Sequence, residues 1–189
     1  MTTVSAVPDV SSWDNPPHLD PRGTIVLIPG RGEDPRLYER LGARLGADAY
    51  RVRVVADPTR HRELTVRQIE QIVTADDPSH PLVLAGSDSG ALFAALPPDC
   101  FDRADLSAVP VPVPALHGAG DGISPLAEAR TQYAAAPRIE LVSLSGGRHD
   151  ALNDAGHRTS AATVPLFLER LRLGADAPAS IAVREEFPS

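Results

Sequence analysis

Asp88 stands at the centre of Gly86-Ser87-Asp88-Ser89-Gly90, between an apolar run, Pro81-Leu82-Val83-Leu84-Ala85, and a helix-like stretch, Ala91-Leu92-Phe93-Ala94-Ala95-Leu96. Small residues around a polar centre give the pattern of a nucleophile elbow, the sharp strand-to-helix turn written G-x-S-x-G. Glycines flank the centre because the turn brings two stretches of backbone close together. A carboxylate at that centre attacks an electrophilic sp3 carbon and forms an alkyl ester, splitting one hard step into two. Two more reactive groups follow in chain order: Asp121 in His117-Gly118-Ala119-Gly120-Asp121, and His149 in Gly146-Gly147-Arg148-His149-Asp150. A histidine oriented by an acid is suited to activating water against such an ester.

These residues need a scaffold that collects them. Thr24-Ile25-Val26-Leu27-Ile28 is continuously apolar, as in a strand buried on both faces of a parallel sheet. Arg51 to Val55, 82–86, a stretch from about Pro114 to His117, and Ile139 to Leu144 read as four more strands. Proline removes ladder hydrogen bonds, which delays the fourth strand to Pro114. Helices are expected between them. Asp34-Pro35 has the form of an N-cap followed by proline, with Leu37, Leu41 and Leu45 at helical spacing. Thr65-Val66-Arg67-Gln68 has capping-box spacing, and Val66, Ile69, Ile72 and Val73 form an apolar face. Further helices are expected over 89–96, from Ser124-Pro125 to about Ala135, and to about Leu173 with a kink or start at Pro165. Alternating strands and helices imply an α/β fold with a parallel sheet of about five strands and right-handed crossovers. Residues 1–22 read as an irregular arm, 23–173 as the single domain, and 174–189 as a loose tail. Pro29-Gly30-Arg31-Gly32-Glu33 and the loops bearing Asp121 and His149 all follow strand ends, where sites of open α/β sheets gather.

The bulk numbers narrow the classes of function. The chain has 189 residues, 42% hydrophobic and 23% charged, enough for one domain with a real core. Its net charge is −7 and it carries no basic cluster, which disfavours nucleic acid as a partner. No apolar run approaches the ~20 residues of a membrane span, and the N-terminus lacks the charge and apolar pattern of a secretory signal. Cys100 is the lone cysteine, so neither an internal disulfide nor a cysteine-based metal motif is available, and a cytoplasmic location is the expectation. His18, His61, His80 and His157 have no ligand spacing, so no metal site is expected. Pro29-Gly30-Arg31-Gly32 lacks the third glycine and acidic partner of a dinucleotide site, and no cofactor is expected. A small-molecule substrate is the implied partner. The oligomeric state is open, a homodimer included.

From about Gly23 to Leu173 the chain resembles the α/β-hydrolase superfamily, in which nucleophile, acid and histidine follow one another in this order. Ile28-Pro29-Gly30-Arg31-Gly32-Glu33, with Tyr38 following, is similar to the H-G-x-G-E stretch of monoglyceride-lipase-type hydrolases, with proline in place of histidine. The resemblance implies that Gly30 and Arg31 belong to an oxyanion loop, the donors being the N–H groups of Arg31 and Ser89. It also implies a catalytic set of Asp88, Asp121 and His149. Aspartate at the elbow is similar to epoxide hydrolases and haloalkane dehalogenases. The tryptophan that dehalogenases place after the nucleophile is Ser89 here, and the one tryptophan, Trp13, lies in the arm. Epoxide hydrolases use lid tyrosines as acids; Tyr38 is the best substitute, with core packing as its plainer role. Asp88 and Asp121 are 33 positions apart, about one βαβ unit. A lid and one strand–helix pair are therefore expected to be missing, which puts strand 114–117 directly beside strand 82–86.

Other readings of the same residues stay open. Ser87 or Ser89 at a shifted elbow gives a serine esterase. Asp88 with His149 as an acid/base pair gives a lyase or cyclase. A degenerate site gives a non-catalytic binding protein. Asp88 also suits a helix cap, Asp121 suits the turn Gly120-Asp121-Gly122, and Asp150 and Asp154 suit capping of the last helix. Arg31 and Glu33 suit a mutual surface ion pair, or Arg31 a substrate carboxylate.

Overall fold

A computed structural model describes residues 10–87, 113–134, 139–172 and 182–185. The helix expected over 89–96, Asp88 and Ser89 themselves, and the segment in which a lid would fall lie outside the described residues.

Five parallel strands form the centre: β2 (Gly23–Ile28), β3 (Tyr50–Val54), β4 (Leu82–Gly86), β5 (Val113–Gly118) and β6 (Ile139–Leu144). They are the five strands expected from the sequence. Two short strands extend the sheet at its edges: β1 (Ser11–Trp13), antiparallel to β3, and β7 (Ala182–Glu185), parallel to β6. The order is β1-β3-β2-β4-β5-β6-β7. The arm and tail read as irregular thus each supply an edge strand; three or four residues are too few to show a period. β5 pairs directly with β4, with Gly86 opposite Ala115, as the short spacing from elbow to acid predicts.

Strand β2 is buried along its whole length because both faces are covered. Val26 and Ile28, with Leu84, Ala115 and Leu141, pack against Ile69 of α2 (Pro58–Ala75) and Ala129 and Tyr133 of α3 (Leu126–Tyr133). Ile25 and Leu27, with Val83 and Ala85, pack against Leu41 and Leu45 of α1 (Glu39–Ala47) and Val164, Phe167 and Leu168 of α4 (His157–Arg172). The two-residue repeat of strands sends alternate side chains to these two cores. Trp13 lies over Gly42 and Gly46 of α1, so close that a Cβ at Gly42 would stand 2.3 Å from its ring. The arm is thereby fixed to the domain by its single tryptophan.

Helix starts differ from the sequence reading in three places. Asp34 caps as expected, accepting the N–H of Arg36, but the first turn is a 3-10 helix, Pro35–Tyr38, that leads into α1. Helix α2 begins at Pro58 behind an Asp57 cap rather than at the 65–68 box. The Thr65 hydroxyl bonds back to the carbonyls of Ala56 and His61, and Gln68 accepts the Ala56 N–H, so both close the helix onto the preceding strand. The backbone of His61 is non-helical at φ −135° and ψ 45°, which marks a kink one turn into α2. Helix α4 runs from His157 through Pro165, so the proline neither starts nor ends it. Among the described residues no helix is long and apolar enough to cross a membrane.

Candidate active site

Strand order reverses around β2, whose neighbours β3 and β4 lie on opposite sides. Such a switch point opens a crevice at the carboxyl ends of the strands. The chemistry-bearing loops after β2, β4, β5 and β6 all emerge at that end.

The loops after β5 and β6 bring Asp121 and His149 together. His149 Nδ1 lies 2.9 Å from Asp121 Oδ2. The other carboxylate oxygen, Oδ1, accepts the backbone N–H groups of Ile123 and Ser124 at 2.8 and 2.9 Å. Asp121 is buried. Burial alone raises its pKa, but the Ser124 N–H, the His149 ring and the Ile123 N–H outweigh that and hold the carboxyl below its ordinary value. An ionised Asp121 fixes the proton of His149 on Nδ1, leaving Nε2 as the basic nitrogen. His117, also buried, lies 3.9 Å from Asp121 Oδ2 through Nε2, which donates to the Ser124 carbonyl at 2.8 Å.

Backbone contacts join these two loops. Ala119 N–H donates to Leu144 O at 2.9 Å and Gly120 N–H to Gly147 O at 2.8 Å. Gly118 must be glycine: a Cβ there would stand 2.2 Å from Arg148 O. Asp154 accepts the N–H groups of Arg148 at 2.8 Å and Gly156 at 2.7 Å, tying the residue before His149 to the approach of α4. Asp150 accepts from the Asn153 amide, which also donates to Leu37 O, so Asp150 braces this loop rather than capping α4.

The loop after β2 is held differently. Glu33 does not pair with Arg31; its carboxylate turns inward. Oε2 accepts the Gly30 N–H at 2.8 Å and the Tyr38 hydroxyl in a short bond, and Oε1 accepts the Ser87 hydroxyl at 2.9 Å. Tyr38 is 1% exposed. Burial first, and the Glu33 carboxylate second, push its phenol well above 10, so it keeps its proton. Gly32 sits at φ +72°, where glycine is favoured, and donates its N–H to Asp57 Oδ2 at 2.9 Å. Sequence reading missed Glu33 and Asp57 as site neighbours. Asp57-Pro58 carries the same cap-and-proline signature as Asp34-Pro35 and was the available signal.

A small pocket of about 30 Å³ connects the two halves. Tyr38, Gly86, Ser87, His117, Asp121 and His149 line it together with apolar residues that include Leu27 and Val164. Gly30 and Arg31 do not line it. They stand on the adjoining loop, where a Cβ on Gly30 would lie 3.1 Å from the Ser87 carbonyl. Among the described residues no group of His, Cys, Asp and Glu side chains is placed to hold a metal ion.

The topology and the position of this site define an α/β-hydrolase fold. No family model matches the sequence, and no curated protein matches it in sequence. Solved structures do match in fold. Est1E from Butyrivibrio proteoclasticus superposes with a TM-score of 0.62 at 12% identity, covering 86% of this chain and 93% of that one. A thermophilic esterase from the planctomycete Thermogutta terrifontis, with butyrate bound, gives 0.61 at 14% identity over 89% and 90% of the two chains. The same esterase phosphonylated by cyclosarin gives 0.61 at 16% identity, again over 89% and 90%.

Proposed function

We propose that this chain is a hydrolase of small organic substrates in which His149, oriented by Asp121, activates water against an ester formed on Asp88. The observation that carries the reading is the 2.9 Å bond between His149 and an ionised Asp121 at the wall of a pocket that also contains Gly86 and Ser87. The Ser87 hydroxyl donates to Glu33 at 2.9 Å, which directs it to the first loop. Asp88 is the next residue and the centre of the elbow pattern.

With an epoxide, an Asp88 carboxylate oxygen attacks a ring carbon. The ring C–O bond breaks, and its electron pair stays on the ring oxygen, which takes up one proton. His149 Nε2 then removes a proton from water as the water oxygen attacks the ester carbonyl carbon. The tetrahedral oxyanion is stabilised by backbone N–H groups, for which the first loop and Ser89 are the candidates. Collapse breaks the bond to the alkyl oxygen, which leaves with the proton held by His149. Asp88 releases one proton as its carboxylate re-forms, so the net reaction is epoxide plus water to diol.

A second reading, hydrolysis of carboxylic esters through Ser89, is favoured by the fold neighbours, which are esterases. Single turnover of an epoxide in oxygen-18 water separates the two. The Asp88 route delivers an unlabelled oxygen from the enzyme into the first product molecule. Label in the first-turnover diol, or turnover of esters alone, contradicts it.

A further inference from the structure

We propose that Glu33 and Asp57 are paired positioning residues that fix the backbone of 30–32 against Ser87 and leave the Arg31 N–H, on the loop adjoining the pocket, as the donor offered to the reacting oxygen. This inference rests on the hydrolase reading above for its catalytic part, and on hydrogen bonds alone for its structural part.

Three consecutive amides carry the argument. The Gly30 N–H is taken by Glu33 at 2.8 Å. The Gly32 N–H is taken by Asp57 at 2.9 Å. Between them, the Arg31 N–H meets no hydrogen-bond acceptor among the described residues. The two carboxylates come from different parts of the chain, Glu33 from the loop itself and Asp57 from the cap of α2. Glu33 also holds Ser87 and Tyr38, and so ties the loop to the residue before Asp88 and to the turn entering α1. Asp57 is buried as the cap of α2, where its other oxygen accepts the N–H and hydroxyl of Thr59 at 2.8 and 2.7 Å. Hydrogen bonds to the amides on both sides narrow the range through which the central N–H can turn. A preorganised donor stabilises developing charge without reorganising at the moment of reaction. Glycine suits both clamped positions, since Gly30 packs against the Ser87 carbonyl and Gly32 adopts a positive φ.

In the alkyl-ester mechanism the oxyanion forms only in the second, hydrolytic step. Loosening the clamp therefore slows ester breakdown and spares ester formation. The test uses Glu33→Gln, which places an amide N–H₂ among three donors, and Asp57→Ser, which keeps a cap for α2 but is too short to reach Gly32. Amide hydrogen exchange should speed up at Gly30 in E33Q and at Gly32 in D57S, by tenfold or more. On an epoxide, kcat should fall about tenfold or more with KM at or below the wild-type value, while intact-mass spectra show the alkyl-enzyme accumulating during turnover. Unchanged exchange at both glycines overturns the clamp. Released glycines with wild-type kcat and no accumulated ester overturn its positioning role. If wild-type protein turns over neither epoxides nor esters, the hydrolase reading fails, and the exchange measurement still decides the clamp.

Discussion

The two halves of the site are built by different means. The half after β5 and β6 is joined by backbone: Ala119 to Leu144, Gly120 to Gly147, and Gly118 pressed against the Arg148 carbonyl. The half after β2 is held by side chains, with Glu33 taking the Gly30 amide and Asp57 the Gly32 amide. A backbone-joined loop tolerates most side-chain changes and fails where glycine is lost. A loop held by carboxylates can be loosened by one isosteric change without disturbing the sheet. In the proposed mechanism the rigid half carries the acid–base pair, whose distances must hold through the reaction, and the other half carries the donors.

That contrast is broken most severely at Asp121. Asp121→Asn leaves the loop shape but favours the wrong tautomer of His149, and kcat should fall by about 10³-fold or more. A loss under tenfold would show that the pair is structural. The same variant has a signature in stability. Asp121 has a lowered folded-state pKa, so its contribution is fully present above the unfolded-state value of about 3.9 and fades as pH falls through the folded-state value. Wild-type urea midpoints should drop below about pH 4, and D121N should lack that part of the slope.

Next in size is Gly118→Ala. It sets a methyl carbon 2.2 Å from Arg148 O and should cost about 3 kcal/mol by forcing the two loops apart. Thermal unfolding measures this, and a stability within error of wild type would mean that the loops are not locked together. On the other half, Tyr38→Phe removes one of three donors to Glu33 and should cost about 1 kcal/mol, with kcat reduced less than tenfold. A loss of kcat comparable to that of D121N would instead make Tyr38 the ring-opening acid. The smallest effect is expected at Ser87→Ala, where kcat should stay within a few-fold of wild type. Abolished turnover there would assign the nucleophile to Ser87.

The sequence exposes the rigid half better than the other. Asp121 and His149 sit in glycine-marked loops directly after apolar strands, so strand order alone brings them to the same end of the sheet. The adjacency of β4 and β5 follows from the short spacing between elbow and acid. Glu33 is harder to read, because its partners Ser87 and Tyr38 are recognised only once β2 and β4 pair. As an exposed-looking acid beside Arg31 it suggests a surface ion pair. The start of α2 is obscured by two competing signals, and the proline-backed cap at Asp57 prevails over the box at Thr65, whose hydroxyl bonds back to Ala56 and His61 instead. Edge strands β1 and β7 are too short for periodicity and gain order from the neighbours they pair with.

Water activation by His149 against an ester on Asp88 can be read from intact-mass spectrometry and peptide mapping of His149→Gln protein incubated with an epoxide panel. The expected result is a stable adduct equal in mass to the whole epoxide, localised to Asp88, with no diol released. An unmodified protein, or an adduct localised to Ser87 or Ser89, would contradict it.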